Sequence, residues 1–260
     1  QTDAPVPVHY RATRHAEHRT REMPVNLSMT PINKAKAWGV HAVTASGVIL
    51  ALLALLALVD NKPQACLLWL GLALLVDGLD GTLARKYEVK EMLPHFDGSV
   101  LDLVIDYLTY VFIPAIFIYR YIPLPEHFEL LAVGVILVSS LFCFCNVNMK
   151  STDNYFVGFP AAWNVVAVYF YVLDLHPWVN LATVLVLAAL TLTRMKFLHP
   201  FRVRQFMPLN IAVTFVWLIS SGLLIVQQPA DLPILLGLWF AASAYFVGIC
   251  LWRSAREWFG

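Results

Sequence analysis

Asp77-Gly78-Leu79-Asp80-Gly81-Thr82-Leu83-Ala84-Arg85, followed after twelve residues by Gly98-Ser99-Val100-Leu101-Asp102-Leu103-Val104-Ile105-Asp106, is the stretch that decides how this chain folds. Each half is continuous with an apolar run, so four of the chain's 17 acids fall where a hydrocarbon-length helix is expected. An ionised carboxylate at the centre of a membrane span costs roughly 3 kcal/mol unless it is paired, hydrated or bound to metal. Asp77 and Asp80 lie three residues apart, Asp102 and Asp106 four apart, and either spacing puts both carboxylates on one helix face. The short spacer predicts an antiparallel hairpin of two helices, with both acid pairs at similar depth and facing each other across the seam.

The rest of the chain supplies the matching environment. Of 260 residues, 59% are hydrophobic and 13% charged, more apolar surface than a soluble domain of this length can bury. Sliding a ruler of about 20 residues along the chain predicts an all-α polytopic bundle of eight spans, at 38–59, 65–85, 99–121, 129–148, 158–174, 177–193, 208–227 and 232–252. The fifth and sixth are short. Pro, Asn and Asp punctuate the connections, as in Asn61-Lys62-Pro63 and Pro123-Leu124-Pro125. Sixteen of the 18 Lys and Arg lie on the side holding both termini, which places the termini and the loops at 86–98, 149–157 and 194–207 in the cytoplasm. Residues 1–36 read as a polar cytoplasmic tail without the apolar core of a signal peptide, its end lying along the membrane surface near Trp38, and 37–260 as one transmembrane domain. The formal net charge of +1 argues against nucleic acid as a partner. Cys66, Cys143, Cys145 and Cys250 sit in apolar runs and read as buried packing residues, with spacing unsuited to zinc.

Four carboxylates cannot all stay ionised in a low dielectric without cations, and this number of hard oxygen ligands suits Mg2+ or Mn2+. Two ions sharing bridging carboxylates would clamp a diphosphate. Gly81 and Ala84 continue the Asp77 stripe towards Arg85, Gly98 continues the Asp102 stripe, and their missing side chains are expected to leave room for a nucleotide.

The pattern Asp-x-x-Asp-Gly-x-x-Ala-Arg, a spacer, then Gly-x-x-x-Asp-x-x-x-Asp resembles the signature of the CDP-alcohol phosphatidyltransferases, integral membrane enzymes of phospholipid synthesis. The spacer is longer than in most members. With eight spans and the stretch Val157-Gly158-Phe159-Pro160-Ala161-Ala162-Trp163-Asn164, it resembles the bacterial phosphatidylcholine synthase branch. The resemblance implies that Asp77, Asp80 and Asp102 hold the ions, and that Asp106 both approaches the metal site and serves as general base. It implies further that Gly81, Ala84, Arg85 and Gly98 surround CDP-diacylglycerol, and that the enzyme is a homodimer in a bacterial inner membrane with its site facing the cytoplasm.

The reaction so implied is attack of an alcohol on the lipid-side phosphorus of CDP-diacylglycerol, with release of CMP. Choline is the expected acceptor, because a quaternary ammonium is held by aromatic faces and negative charge, and Tyr107, Tyr110, Trp163 and Asn164 are the candidates. Serine, inositol phosphate and glycerol phosphate are competing acceptors, as is a CDP-choline donor with a diacylglycerol acceptor. Phosphate-bearing acceptors would need cations such as Lys150, Arg194, Lys196, Arg202 or Arg204, which otherwise serve as membrane-side anchors. A cation transporter would explain the intramembrane acids but not the fixed glycines, Ala84 and Arg85. His41, Thr44 and Ser46 are read as helix-packing groups or headgroup contacts, His95 and Asp97 as nucleotide-side or solvated loop residues, and Asp153 as solvated. Pro114 and Pro160 are expected to bend or begin helices.

Overall fold

The Thr30 hydroxyl accepts the Asn33 N–H at 3.3 Å, and Pro31 occupies the first helical turn, so helix α1 (Pro31–Val59) starts earlier than the predicted 38. The stretch expected along the membrane surface is continuous with this helix. The computed structural model describes residues 30–146, 149–229 and 232–259; the predicted tail up to residue 29 and the end of the predicted fourth span lie outside them. Helix α2 (Pro63–Lys86) follows a tight turn, and a short α3 (Val89–Met92) crosses the spacer. Asp97 caps α4 (Gly98–Asp106) by accepting the N–H groups of Ser99 at 2.9 Å and Val100 at 3.3 Å, a role that neither sequence alternative foresaw.

Directly after Asp106 the helix widens into a π segment (Tyr107–Phe112), in which the Ile113 N–H bonds to Leu108 O, five residues back. Pro114, in the following α5 (Ile113–Tyr121), explains the widening. It offers no N–H to Tyr110 O, and its ring would crowd that carbonyl in a regular α-helix. The chain continues through α6 (Glu129–Phe144), α7 (Trp163–Leu173), α8 (Pro177–Thr191), α9 (Met207–Val226) and α10 (Pro233–Phe259).

The eight predicted spans each contain an apolar helix, but five (α1, α2, Gly98–Tyr121, α9 and α10) are long and apolar enough to cross a membrane. Helix α7 has 11 residues and rises only about 17 Å. Its predicted first turn at 158–162 is irregular: Gly158 and Ala161 have positive φ, and Pro160 precedes the helix rather than beginning it. Two-residue strands β1 (Phe156–Val157) and β2 (Lys196–Phe197) pair antiparallel and join the loop before α7 to the loop after α8.

Packing follows the inverted logic of lipid, where small residues let helices approach and large ones face outward. Helix α1 buries Ala37, Val40, Gly47, Ala51 and Ala54 and exposes Val48, Ile49, Leu52 and Leu56. A Cβ on Gly47 would lie 2.6 Å from Ile105 Cγ2, so α1 and α4 touch where only glycine fits. Buried polar bonds tie other helices: Trp163 Nε1 donates to Ser140 Oγ, Trp217 Nε1 to Tyr169 OH, Trp239 Nε1 to Ser221 Oγ, each at 2.9 Å. Such bonds contribute about 0.6 kcal/mol apiece in membranes. Cys66, Cys143 and Cys250 are buried as expected; Cys145, at the end of α6, is exposed.

Gly158 has φ +85°, and a Cβ there would meet Thr191 O at 2.4 Å. Gly158→Ala is therefore expected to cost about 2 kcal/mol or more and to lower the melting temperature in detergent by several degrees. Gly134→Ala, with open space around it, should not; equal melting of the two variants would refute the strain at Gly158.

Candidate active site

Helix α2 ends with its acidic face against α4, so Asp77, Asp102 and Asp106 converge, each offering a carboxylate oxygen within 4.8 Å of the others. Asp80, one turn further along α2, is buried beside this trio and lines the same cleft with Thr44, Gly47, Ala73, Ile105 and Thr109. Tyr110 reaches back from the π segment and donates its hydroxyl to Asp77 Oδ2 at 2.7 Å, fixing one carboxylate rotamer.

Among the described residues, no Lys or Arg forms an ion pair with any of the four. Two ionised carboxylates at 4.8 Å repel by about 3.5 kcal/mol at an effective dielectric of 20. Three such pairs rival the net stability of a domain, about 5–15 kcal/mol, so the arrangement favours a bound cation or a shared proton. A half-buried set of three converging carboxylates, oriented by a hydroxyl and lacking a side-chain counter-ion, fits a hard divalent ion.

Positive charge surrounds this cleft at one remove. Lys150 and Arg202 both act electrostatically on Asp77 and Asp102, and Arg202 acts on Asp80 as well. Arg202 and Arg85 flank Gly81: an added Cβ there would lie 3.5 Å from Arg202 Nη2 and 3.6 Å from Arg85 Nη1. Arg85 Nη2 also donates to Thr82 Oγ1 at 3.1 Å. His199 lies among the cations, its ring stacked on Phe156 at 5.1 Å and 8°, with Nδ1 buried and unpartnered. Burial, together with Arg202, Lys150 and Arg85, pushes the imidazole down to about 3, so it is neutral at physiological pH and adds no charge.

The other expected site residues are distributed less simply. Gly98 adjoins the cleft, but the space before it belongs to His41: a Cβ would come 2.5 Å from that ring, which packs on Phe96 at 4.4 Å. Beside Gly98 there is thus a helix contact, and the His41 ring is buried there with Nε2 unpartnered. Ala84 borders a shallow groove with Arg85, Glu88, Lys90 and Glu91. Tyr107 turns to α6, its hydroxyl donating to Leu137 O at 3.3 Å and its ring against Phe144. Trp163 is wholly buried with its N–H on Ser140, and Asn164 is buried with Oδ1 accepting the Val165 N–H. Of the four residues expected around choline, the structure brings Tyr110 alone to the carboxylates. Asp153 is not simply solvated, since Arg253 and Ser151 both donate to it. Burial opposes its charge, yet these bonds prevail and hold its carboxyl below the usual range.

A helical hairpin of paired carboxylates under a cationic rim defines the class. The chain belongs to the CDP-alcohol phosphatidyltransferase family, whose profile matches residues 41–195, and it is a membrane transferase of phosphorus-containing groups. Among curated proteins, the phosphatidylcholine synthase of Mesorhizobium japonicum is 40% identical over 83% of this chain and 81% of its own length. That of Rhizobium johnstonii is 38% identical over 87% and 94%, and that of Agrobacterium fabrum 40% over 76% and 82%.

Because Tyr110 donates to Asp77 and fixes its rotamer, Tyr110→Phe should weaken Mn2+ affinity by about tenfold with little loss of fold. A Mn2+ titration of the thermal shift of EDTA-treated protein reads this directly; an unchanged midpoint would contradict the orienting role.

Proposed function

We propose that this protein transfers the phosphatidyl group of CDP-diacylglycerol to choline and releases CMP, on the cytoplasmic face of a bacterial inner membrane. The observation that carries the reading is the convergence of Asp77, Asp102 and Asp106 beside Arg85, Lys150 and Arg202, in a chain about 40% identical to phosphatidylcholine synthases. Residues 37–260 act as one transmembrane catalytic domain with both termini cytoplasmic, residues 1–36 as its tail, and the enzyme works as a homodimer.

In this reading Asp77, Asp80, Asp102 and Asp106 hold two divalent ions, Mn2+ or Mg2+. These supply charge neutralisation at the diphosphate and at the departing phosphate. Arg85, Lys150 and Arg202 take the remaining diphosphate charge, and the small Gly81 and Ala84 admit the nucleotide to the backbone of α2. Asp106 accepts the proton of the choline hydroxyl as its oxygen bonds to the lipid-side phosphorus and the bond from that phosphorus to the CMP oxygen breaks. The quaternary ammonium rests against the Tyr110 ring and the carboxylates' residual negative charge.

A second reading, an acceptor that itself carries phosphate, is favoured by one observation: Lys150 and Arg202 face the same carboxylates that would activate its hydroxyl.

A detergent assay with radiolabelled CDP-diacylglycerol and Mn2+, offering choline, serine, inositol phosphate and glycerol phosphate in parallel, should yield phosphatidylcholine from choline alone, with CMP released and EDTA abolishing turnover. Product from inositol phosphate or glycerol phosphate instead would replace the first reading with the second. Asp106→Asn should abolish turnover, by about 10^2-fold or more, while CDP-diacylglycerol binding stays measurable. Near-normal turnover would remove Asp106 from the role of base.

A further inference from the structure

Residues 196–260 lie beyond the family match, yet they supply His199 and Arg202 to the cationic rim. Apart from Arg85 on α2, the rim is carried by two loops, one holding Lys150 and Asp153, the other Lys196, His199 and Arg202. The loops are joined by two β pairs (Phe156 with Phe197, Val157 with Lys196), by the Gly158 N–H donating to Met195 O at 2.8 Å, and by the rings of His199 on Phe156 and Phe197 on Phe159. A strand pair of this length does not hold its own register in water.

The cytoplasmic end of α10 holds both loops from behind. Ser254 Oγ accepts the Lys196 N–H at 2.8 Å, and Cys250 Sγ accepts the Leu198 N–H at 3.2 Å. Glu257 pairs with Lys196 Nζ at 3.2 Å; that ammonium is almost fully buried and Glu257 is the acid it meets. Arg253 donates from Nε to Asp153 at 2.7 Å and lies over the Tyr155 ring at 5.7 Å. One turn apart on α10, Arg253 and Glu257 also pair with each other at 3.0 Å, so one helix end links Asp153 in the first loop to Lys196 in the second.

We infer that Arg253 and Glu257 are positioning residues, an ion-paired clamp that sets both cationic loops over the carboxylate cleft and thereby sets the affinity for the diphosphate-bearing donor. Neither touches the cleft. The inference rests on the proposed reading that Lys150 and Arg202 meet the donor's diphosphate. Loss of the clamp lets the loops drift, which removes positive charge from the diphosphate but leaves Asp106 and the acceptor in place.

Arg253→Gln and Glu257→Gln, in the full chain in detergent, should each raise KM for CDP-diacylglycerol by about tenfold, with kcat and KM for choline changed by less than about threefold. Arg253→Lys keeps a cation for Asp153 and should restore most of the affinity. Arg202→Ala should show the same KM defect, and Arg202→Ala combined with Glu257→Gln should be little worse than Arg202→Ala alone, because Glu257, through Lys196, acts on the loop that carries Arg202. An unchanged KM for the donor, or additive defects in the double variant, would overturn the clamp. So would a fall in kcat alone, or a defect in Arg253→Gln that Arg253→Lys does not relieve. Equilibrium binding of CDP-diacylglycerol to the same variants reads the clamp without turnover, and covers any variant of low activity. Lack of choline turnover by the unaltered protein would sink the proposed acceptor and leave this binding test standing.

Discussion

Mutual repulsion of carboxylates held in a low dielectric is the constraint on which the rest of the structure depends. Asp77, Asp102 and Asp106 come within 4.8 Å only because α2 and α4 form a hairpin and α1 closes on α4 at Gly47 with no side chain between. Small residues on the buried face of α1 permit that approach, so that close packing can hold the helices together in lipid. The repulsion so created makes the space between the acids suited to positive charge, such as a divalent ion would bring and as Lys150 and Arg202 bring at its edge. Thus a property of a few helix contacts becomes a property of a binding site.

The division between membrane and water is equally physical. The acids are carried by helices long enough to span, as is Arg85, whereas Lys150 and Arg202 are carried by loops whose short strands are supported by α10. Rigid elements hold the groups that must keep sub-ångström relations; adjustable ones hold groups that act at longer range. His199, neutral among three cations and stacked on Phe156, adds shape to the rim without adding to its repulsion.

Much of this was legible in the residues. The acid pairs, their helix faces and their hairpin follow from spacing and apolar surroundings, and Tyr110 was placed near them by the turn it occupies after Asp106. What was not legible arose from contacts between distant segments. Arg202 and Lys150 read first as anchors, otherwise as cations for a phosphate-bearing acceptor, because positive residues crowd the cytoplasmic loops of any membrane protein; the pairing of β1 with β2 and the bonds to α10 are contacts between distant segments. The His-Pro at 199–200 next to Arg202 was the available signal, since anchors need no imidazole. Gly98 was read as room for a ligand and is filled by His41, because a glycine's vacancy is equally useful to a neighbouring helix. Trp163 was expected beside choline on aromatic character alone, and its N–H is held by Ser140 in the core. The 158–162 stretch is apolar enough for a span yet irregular, since the positive φ at Gly158 and Ala161 is incompatible with a right-handed helix.

The π segment at Tyr107–Phe112 has a further consequence. A surplus residue turns everything after it by about 100° relative to an unbroken α-helix, so the third membrane crossing is two half-helices with separately chosen azimuths. The lower half aims Asp102 and Asp106 at α2, and the upper half aims Ile113, Ala115, Phe117 and Ile118 into the core. A straight rod would have to compromise between chemistry and anchoring on a single face. The bulge uncouples them, leaving the upper half free to change its packing surface without rotating the carboxylates.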